Sequence, residues 1–205
     1  MEIRLENIAK RYQRKWIFKG LNYHFEKNGK YAILGHNGAG KSTLMRILSG
    51  HLSPSKGKIN FTLDGEKIAA TECYKKVSYA APYIDLIEEF TLKESIEFHQ
   101  HFKPFLKNHD VESLVKLLNF DKDKHKEVRF FSSGMKQRLK LILALCTDTP
   151  VVLLDEPTSN LDEQGMRWYH QLIEEYGAKR LCIIASNVTQ DITFCDYTID
   201  ITKYK

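Results

Sequence analysis

Apolar and polar residues alternate near the start of the chain, which is the spacing of half-buried β-strands. The alternating apolar positions are Ile3, Leu5, Ile8, Leu21, Tyr23 and Phe25. Short, mostly apolar runs come later, at residues 30–34, 151–154 and 180–185. Runs of this kind are typical of parallel strands that are buried on both faces. The pattern therefore predicts a mixed sheet that has antiparallel strands at its N-terminal end.

Between Thr91 and Cys146 the spacing of the apolar residues changes to that of helices. Thr91 and Glu94 form a capping-box pattern, and Asp110 precedes a second helical stretch. The apolar stripe from Ser132 to Cys146 predicts a third and longer helix.

This order of elements predicts one α/β domain with a helical insertion. Residues 1–82 and 147–205 would form the core, and residues 83–146 the inserted helical subdomain. Apolar residues at 42% and charged residues at 28% are ordinary for a globular protein. The net charge of +5 favours neither lipid nor nucleic acid as a partner, and the interleaved charges at 121–129 favour a solvated loop. No apolar run approaches the ~18 residues of a membrane span, so we expect another chain to supply any span.

The stretch from Gly35 to Thr43 fits the pattern G-x-x-x-x-G-K-[ST]. A predicted strand precedes it and helical spacing follows it, which argues against a plain glycine-rich turn. Its glycines leave room for backbone N–H groups to converge on phosphate oxygens. Lys41 would reach the β- and γ-phosphates of a nucleoside triphosphate, and the Ser42 hydroxyl would bind Mg²⁺. The other candidate binding residues of this loop are Asn37, Gly38, Ala39 and Gly40.

A second candidate site lies where the apolar run 151–154 ends in Asp155 and Glu156. In an enzyme that binds a nucleoside triphosphate, the first carboxylate at such a strand end holds Mg²⁺ and the second faces the attacking water. An acidic helix cap is the alternative explanation, and the phosphate-loop pattern elsewhere in the chain makes it the weaker one. We therefore predict that Asp155 binds the metal and that Glu156 is catalytic.

Three further features match one protein family in their order along the chain. Phe131-Ser132-Ser133-Gly134-Met135 is similar to the signature Leu-Ser-Gly-Gly-Gln of ABC transporters, and a basic continuation follows at 136–139. Ser159–Asp162 matches the D-loop of the family, and Tyr12 stands where its members stack an aromatic ring on adenine. The chain thus resembles the nucleotide-binding subunit of ABC transporters over essentially its whole length.

The resemblance implies a P-loop NTPase fold of the ABC ATPase type, with ATP and Mg²⁺ as ligands. Two cassettes, identical or different, would stack head-to-tail, so that Ser132 and Gly134 of one contact the γ-phosphate held by the other. Membrane-spanning permease subunits would dock near the loop 82–90, and the chain would lie on the cytoplasmic face of the inner (plasma) membrane. The four cysteines show no C-x-x-C pairing, which agrees with a reducing cytoplasm.

Two positions depart from the family pattern. Pro82 stands where the family has a glutamine that reaches Mg²⁺ and the permease, and proline has no side-chain donor. Asn187 stands where the family has a histidine, and its amide can donate a hydrogen bond to the γ-phosphate but carries no charge. Ser133 in the signature is a smaller change. These residues predict an ATPase that is slow or dependent on a partner, with Lys41, Glu156 and Asn187 as its catalytic groups.

The leading interpretation is an ATP-hydrolysing subunit that powers the transport of an unidentified substrate by closing and reopening a dimer. The alternative is a regulatory subunit that dimerises on ATP with little or no hydrolysis, which Pro82 and Asn187 favour and Glu156 opposes. An ABC ATPase that acts on DNA or ribosomes would carry a coiled-coil insertion or a second cassette. Only 113 residues separate Lys41 from Asp155, so nucleic acid is not an expected partner.

Overall fold

The computed structural model describes all residues from 1 to 205, and the chain divides into two compact units. The first, the sheet unit, consists of Met1–Tyr79, Thr149–Glu156 and Gly177–Lys205. The second, the helical unit, consists of Ala80–Asp148 and Pro157–Tyr176.

Nine strands form two separate sheets. In chain order they are β1 (Glu2–Tyr12), β2 (Lys15–Phe25), β3 (Lys30–Leu34), β4 (Lys56–Leu63), β5 (Glu66–Ile68), β6 (Val77–Ala80), β7 (Val151–Asp155), β8 (Leu181–Ala185) and β9 (Tyr197–Asp200). The spatial order is β2-β1-β4-β5 in the antiparallel sheet and β6-β7-β8-β3-β9 in the other. In the second sheet, β3 pairs in parallel with β8 and β9, and β7 with β8. The antiparallel strands predicted at the N-terminal end are present, in a sheet of their own.

The parallel strands are apolar because both faces of their sheet are covered. Every residue of β7 and β8 is buried, and the helix α1 (Lys41–Leu48) packs against both strands. Leu44, Met45 and Ile47 of this helix join one apolar cluster with buried residues of β1, β2 and β3. This packing fixes the segment between β3 and α1, residues 35–40, at the carboxyl end of a buried strand.

The remaining helices are α2 (Leu92–Phe102), α3 (Val111–Leu118), α4 (Ser133–Leu145) and α5 (Glu163–Gly177). Thr91 and Glu94 form the predicted capping box at the start of α2, and the Asp110 carboxylate accepts from Ser113 N at 2.8 Å at the start of α3. None of the five helices combines the length and apolar character needed to span a bilayer.

Residues 157–176 group with the helical unit, whereas the sequence analysis assigned them to the core. The indole N–H of Trp168 donates to Leu117 O at 2.9 Å, and the guanidinium of Arg138 lies 4.7 Å from the centre of the same ring system. Because one side chain of α5 contacts both α3 and α4, this helix belongs with the helices rather than with the sheets.

Gly57 lies at a bulge where the pairing of β1 with β4 changes register between Glu6 and Ala9. Its φ is +87°, and a Cβ there would lie 2.4 Å from Asn7 O and 2.5 Å from Glu6 O. We therefore expect Gly57→Ala to destabilise the protein by at least about 2 kcal/mol more than Gly65→Ala in urea unfolding. Gly65 is the matched control, because its φ is +92° but nothing lies within 4 Å. Equal losses from the two substitutions would show that the bulge tolerates a side chain.

His99 makes the helical unit sensitive to acid. Its Nε2 lies 2.7 Å from Thr147 Oγ1, its ring stacks on Phe105, and burial lowers the pKa of His99 to about 4. The unfolded chain therefore binds this proton at a higher pH than the folded chain does. The stability at neutral pH should fall as the pH drops through the window from about 6.5 to about 4, by up to roughly 3 kcal/mol.

Urea unfolding of the wild type and of His99→Gln, at about pH 7 and about pH 4.5, measures this effect. The variant has no imidazole to protonate, so its free energy of unfolding should fall less between the two pH values. The same fall in both proteins would assign the acid sensitivity to other groups.

Candidate nucleotide-binding site

The loop from Gly35 to Gly40 leads from β3 into α1 and leaves the start of that helix open. Gly40 is the N-cap residue, with φ of +112°, and no side chain caps the helix. A Cβ at this position would lie 2.7 Å from Ile17 Cγ2, so only glycine fits. The first turn of α1 contains no acidic residue. The N–H groups of Lys41, Ser42 and Thr43 therefore form a site that suits an anion.

Lys41 places its ammonium group over this loop. The residue is only 6% exposed, and its Nζ donates to Gly35 O at 2.9 Å. The same Nζ lies 3.5 Å from Glu156 Oε1. One nearly buried cation thus bridges the phosphate loop and the predicted catalytic carboxylate.

Glu156 follows β7 directly and has an unusual backbone conformation. Its φ is +47°, and its N–H donates to Ala185 O at 2.7 Å, at the end of β8. Burial raises the pKa of the Glu156 carboxyl above its usual value, and the attraction of Lys41 opposes that rise. A carboxylate with a raised pKa is a better proton acceptor, which suits a general base.

Asn187 lies beside the phosphate loop, just after β8. Its Nδ2 donates to Asn37 Oδ1 at 2.7 Å, although the two residues are 150 positions apart. The preceding residue is held as well, because the Ser186 hydroxyl donates to the buried carboxylate of Asp191 at 2.5 Å. The structure thus brings Asn37, Lys41, Glu156 and Asn187 together around one loop.

Ser42 and Asp155 offer the oxygen donors for a metal ion. Asp155 is 1% exposed at the carboxyl end of β7, and Ser42 lies in the first turn of α1, which packs against that strand. A hydroxyl and a carboxylate are ligands that Mg²⁺ prefers, so this donor set fits the predicted ion.

Tyr12 ends β1 with its ring 45% exposed, and Lys10 Nζ lies 5.4 Å from the ring centre. An exposed aromatic face can stack on a base. Ile17 and Phe18, which approach Gly40, were not among the predicted site residues. The alternation of apolar and polar residues in β2 indicates which side chains are buried. It does not show which residues of other elements these side chains contact.

The predicted signature residues lie in the helical unit, whereas the phosphate loop belongs to the sheet unit. Ser132 caps α4, and its Oγ accepts from Met135 N at 3.2 Å. A Cβ on Gly134 would lie 3.0 Å from Asn160 O in the predicted D-loop. These residues line a cleft of about 320 Å³, and the first turn of α4 contains no acidic residue. The start of α4 is thus a second site that suits an anion.

Pro82 has a partner that the sequence analysis missed. Lys140 Nζ donates to Pro82 O at 2.9 Å and lies 3.5 Å from Ala81 O, and burial lowers the pKa of Lys140. This lysine interrupts the apolar stripe of α4, which was the only sign of it in the sequence.

Comparison with known proteins identifies the family of this chain. The family model described as ABC transporter matches residues 18–159. The chain belongs to the ABC transporter family.

Individual relatives are ATP-binding subunits of this family. The cassette is 29% identical over 201 residues to the uncharacterized ABC transporter ATP-binding protein YybJ of Bacillus subtilis, covering 97% of this chain and 91% of that protein. It is 31% identical over 193 residues to the lantibiotic transport ATP-binding protein SrtF of Streptococcus pyogenes, covering 90% and 79%. These matches confirm the predicted family.

A solved structure confirms the predicted fold. A dimeric ATP-binding cassette in a post-hydrolysis state, bound to ADP and Pi, gives a TM-score of 0.83 at 20% identity, over 98% of this chain and 95% of that one. The roles assigned to individual residues of the cassette stay predictions.

Asn187→Ala tests the one amide placed beside the phosphate loop. If this N–H group stabilises charge that develops on the γ-phosphate, its loss should lower kcat for ATP about a hundredfold and change KM much less. Val188→Ala is the neighbouring control, because that exposed side chain lies outside the predicted site. An unchanged kcat in Asn187→Ala would remove Asn187 from the catalytic groups.

Proposed function

We propose that this cassette binds and hydrolyses ATP to power the transport of a substrate across a membrane. The observation that carries the proposal is the contact of Lys41 with Glu156 beside the open start of α1. The phosphates of ATP would bind to the loop N–H groups, with adenine stacked on Tyr12. Mg²⁺ held by Ser42 and Asp155 would neutralise charge on the β- and γ-phosphates.

In the proposed reaction, Glu156 accepts a proton from the attacking water. The γ-phosphate of bound ATP would compete with Glu156 for the ammonium group of Lys41. The attraction that lowers the pKa of Glu156 would then weaken, while burial would still raise this pKa. Asn187 donates a hydrogen bond to the γ-phosphate, and Asn37 orients its amide. These steps need no charge on Asn187, but a neutral donor stabilises the transition state less than a cation would.

A second cassette would complete the site. Within one chain the starts of α1 and α4 belong to different units, and both lack acidic residues in the first turn. A γ-phosphate bound at α1 leaves its far side open for Ser132 and Gly134 of a partner cassette. The dimeric form of the structural neighbour with ADP and Pi supports this arrangement.

Permease subunits would dock at the loop after β6. Tyr83 is 36% and Ile87 is 40% exposed there, which favours docking over packing beneath the helices. Lys140 holds the start of this loop through Pro82 O. We infer that the cassette works on the cytoplasmic face of the plasma membrane, attached through this loop.

The alternative function is a subunit that dimerises on ATP without meaningful hydrolysis. Asn187 favours it, because no charged group replaces the histidine expected at that position. Both functions use the same ATP-binding site, and they differ only in the rate of ATP hydrolysis.

Mg²⁺-ATP hydrolysis over a range of protein concentrations tests the proposal, with Lys41→Ala as the blank. We expect a rate above the blank that rises faster than linearly with concentration, because two chains form each site. A strictly linear rise across concentrations at which sedimentation shows the dimer dissociating would contradict the shared site. No rate above the blank, with ATP binding and ATP-dependent dimers still observed, would replace the proposal with the regulatory alternative.

A further inference from the structure

Positive charge is concentrated in one part of the chain. Residues 7–63 contain eleven lysines and arginines and a single acidic residue, Glu26, whereas the net charge of the whole chain is only +5. Five of these cations lie at one end of the antiparallel sheet, around the turn between β1 and β2 and the start of β4. This group, the hairpin patch, consists of Lys10, Arg11, Arg14, Lys15 and Lys56.

The cations of the hairpin patch form no ion pair with a carboxylate. Some other exposed cations do have such a partner, as Lys27 has in Asp64 at 2.7 Å and Lys136 has in Glu88 at 2.6 Å. Without acidic neighbours, the patch presents an uncompensated positive surface to any anionic partner.

Two of the cations share one aromatic ring. Arg11 Cζ lies 5.5 Å and Lys56 Nζ lies 5.6 Å from the ring centre of Trp16. The ring attracts each of them, so two positive charges are held at the same side chain. An anion beside Trp16 would be attracted by both charges.

The patch borders the predicted nucleotide site, because Lys10 Nζ lies 5.4 Å from the ring centre of Tyr12 and Lys15 pairs with Tyr12 across the hairpin. Ile17 faces the phosphate loop, since a Cβ on Gly40 would lie 2.7 Å from Ile17 Cγ2. Arg11 and Lys56 lie around the ring of Trp16, the residue before Ile17.

We propose that the hairpin patch binds the anionic headgroups of phospholipids and holds this end of the cassette against the membrane surface. Clusters of four to eight basic residues bind anionic lipids, and tryptophan is enriched at the membrane interface. Single-stranded nucleic acid is the less suitable ligand, because two cations already lie against the ring of Trp16 on which a base would stack. The proposal rests on the family and on this surface, and it does not depend on ATP hydrolysis.

Sedimentation with vesicles tests the proposal, using phosphatidylcholine alone and phosphatidylcholine mixed with phosphatidylglycerol. The wild-type chain should bind the mixed vesicles, less so at high salt, and should not bind the neutral ones. A triple variant, Arg11→Gln, Arg14→Gln and Lys15→Gln, should lower the partition coefficient on the order of a hundredfold, because each cation contributes roughly fivefold. Circular dichroism and the urea midpoint of the same variant show that it is folded.

The matched control removes the same charge from the helical unit. Lys107→Gln, Lys116→Gln and Lys122→Gln lie on exposed positions outside the patch, and this triple variant should keep the binding of the wild type. Trp16 fluorescence should shift to shorter wavelength with the mixed vesicles, and Trp16→Phe should lose that shift. Equal losses in both triple variants, equal binding to neutral vesicles, or tighter binding to a single-stranded oligonucleotide than to lipid would each overturn the proposal.

Discussion

The absence of a side chain at Gly40 is the constraint on which the rest of the site depends. The side chains of Ile17 and Phe18 fill the space beside it. Because the backbone turns there with a positive φ, α1 begins without a side-chain cap and leaves its first N–H groups unbound within the helix. A strand of the antiparallel sheet thus shapes the start of the helix that follows a parallel strand. The conformation of the phosphate loop therefore depends on residues of both sheets.

The electrostatics of the site follow from the burial of Lys41. A buried ammonium is costly unless polar groups satisfy it, and Gly35 O and the Glu156 carboxylate do so in this structure. A phosphate oxygen competes with Glu156 for the same cation, since both are anions. In the proposed mechanism Lys41 pairs with the phosphate. Glu156 then loses the cation that lowered its pKa and keeps the rise in pKa that burial causes. In this proposed mechanism, one ammonium group would link nucleotide binding to the strength of the base.

The elements with local causes could be predicted from the sequence. The strand β3, the helix α1 and the capping box of α2 each depend on residues within a few positions of one another. Contacts between distant positions could not, because a single sequence does not record which residues meet. Asn187 and Asn37 are 150 positions apart, and Lys140 and Pro82 are 58 apart. The grouping of residues 157–176 with the helices was missed for the same reason, since contacts such as that of the Trp168 indole with Leu117 O join positions 51 apart.

At both departures from the family pattern, a hydrogen bond holds the position of the residue. Pro82 offers no side-chain donor, yet its carbonyl is held by Lys140, so the loop after β6 stays fixed to α4. The side-chain amide of Asn187 carries no charge, yet its hydrogen bond to Asn37 holds it beside the phosphate loop. Hydrogen bonds from neutral donors are roughly half as strong as those from charged ones. If Asn187 has the proposed role, its position is kept while its stabilisation of the transition state is weaker than that of a charged group, which favours a cassette that binds ATP and is limited by the chemical step.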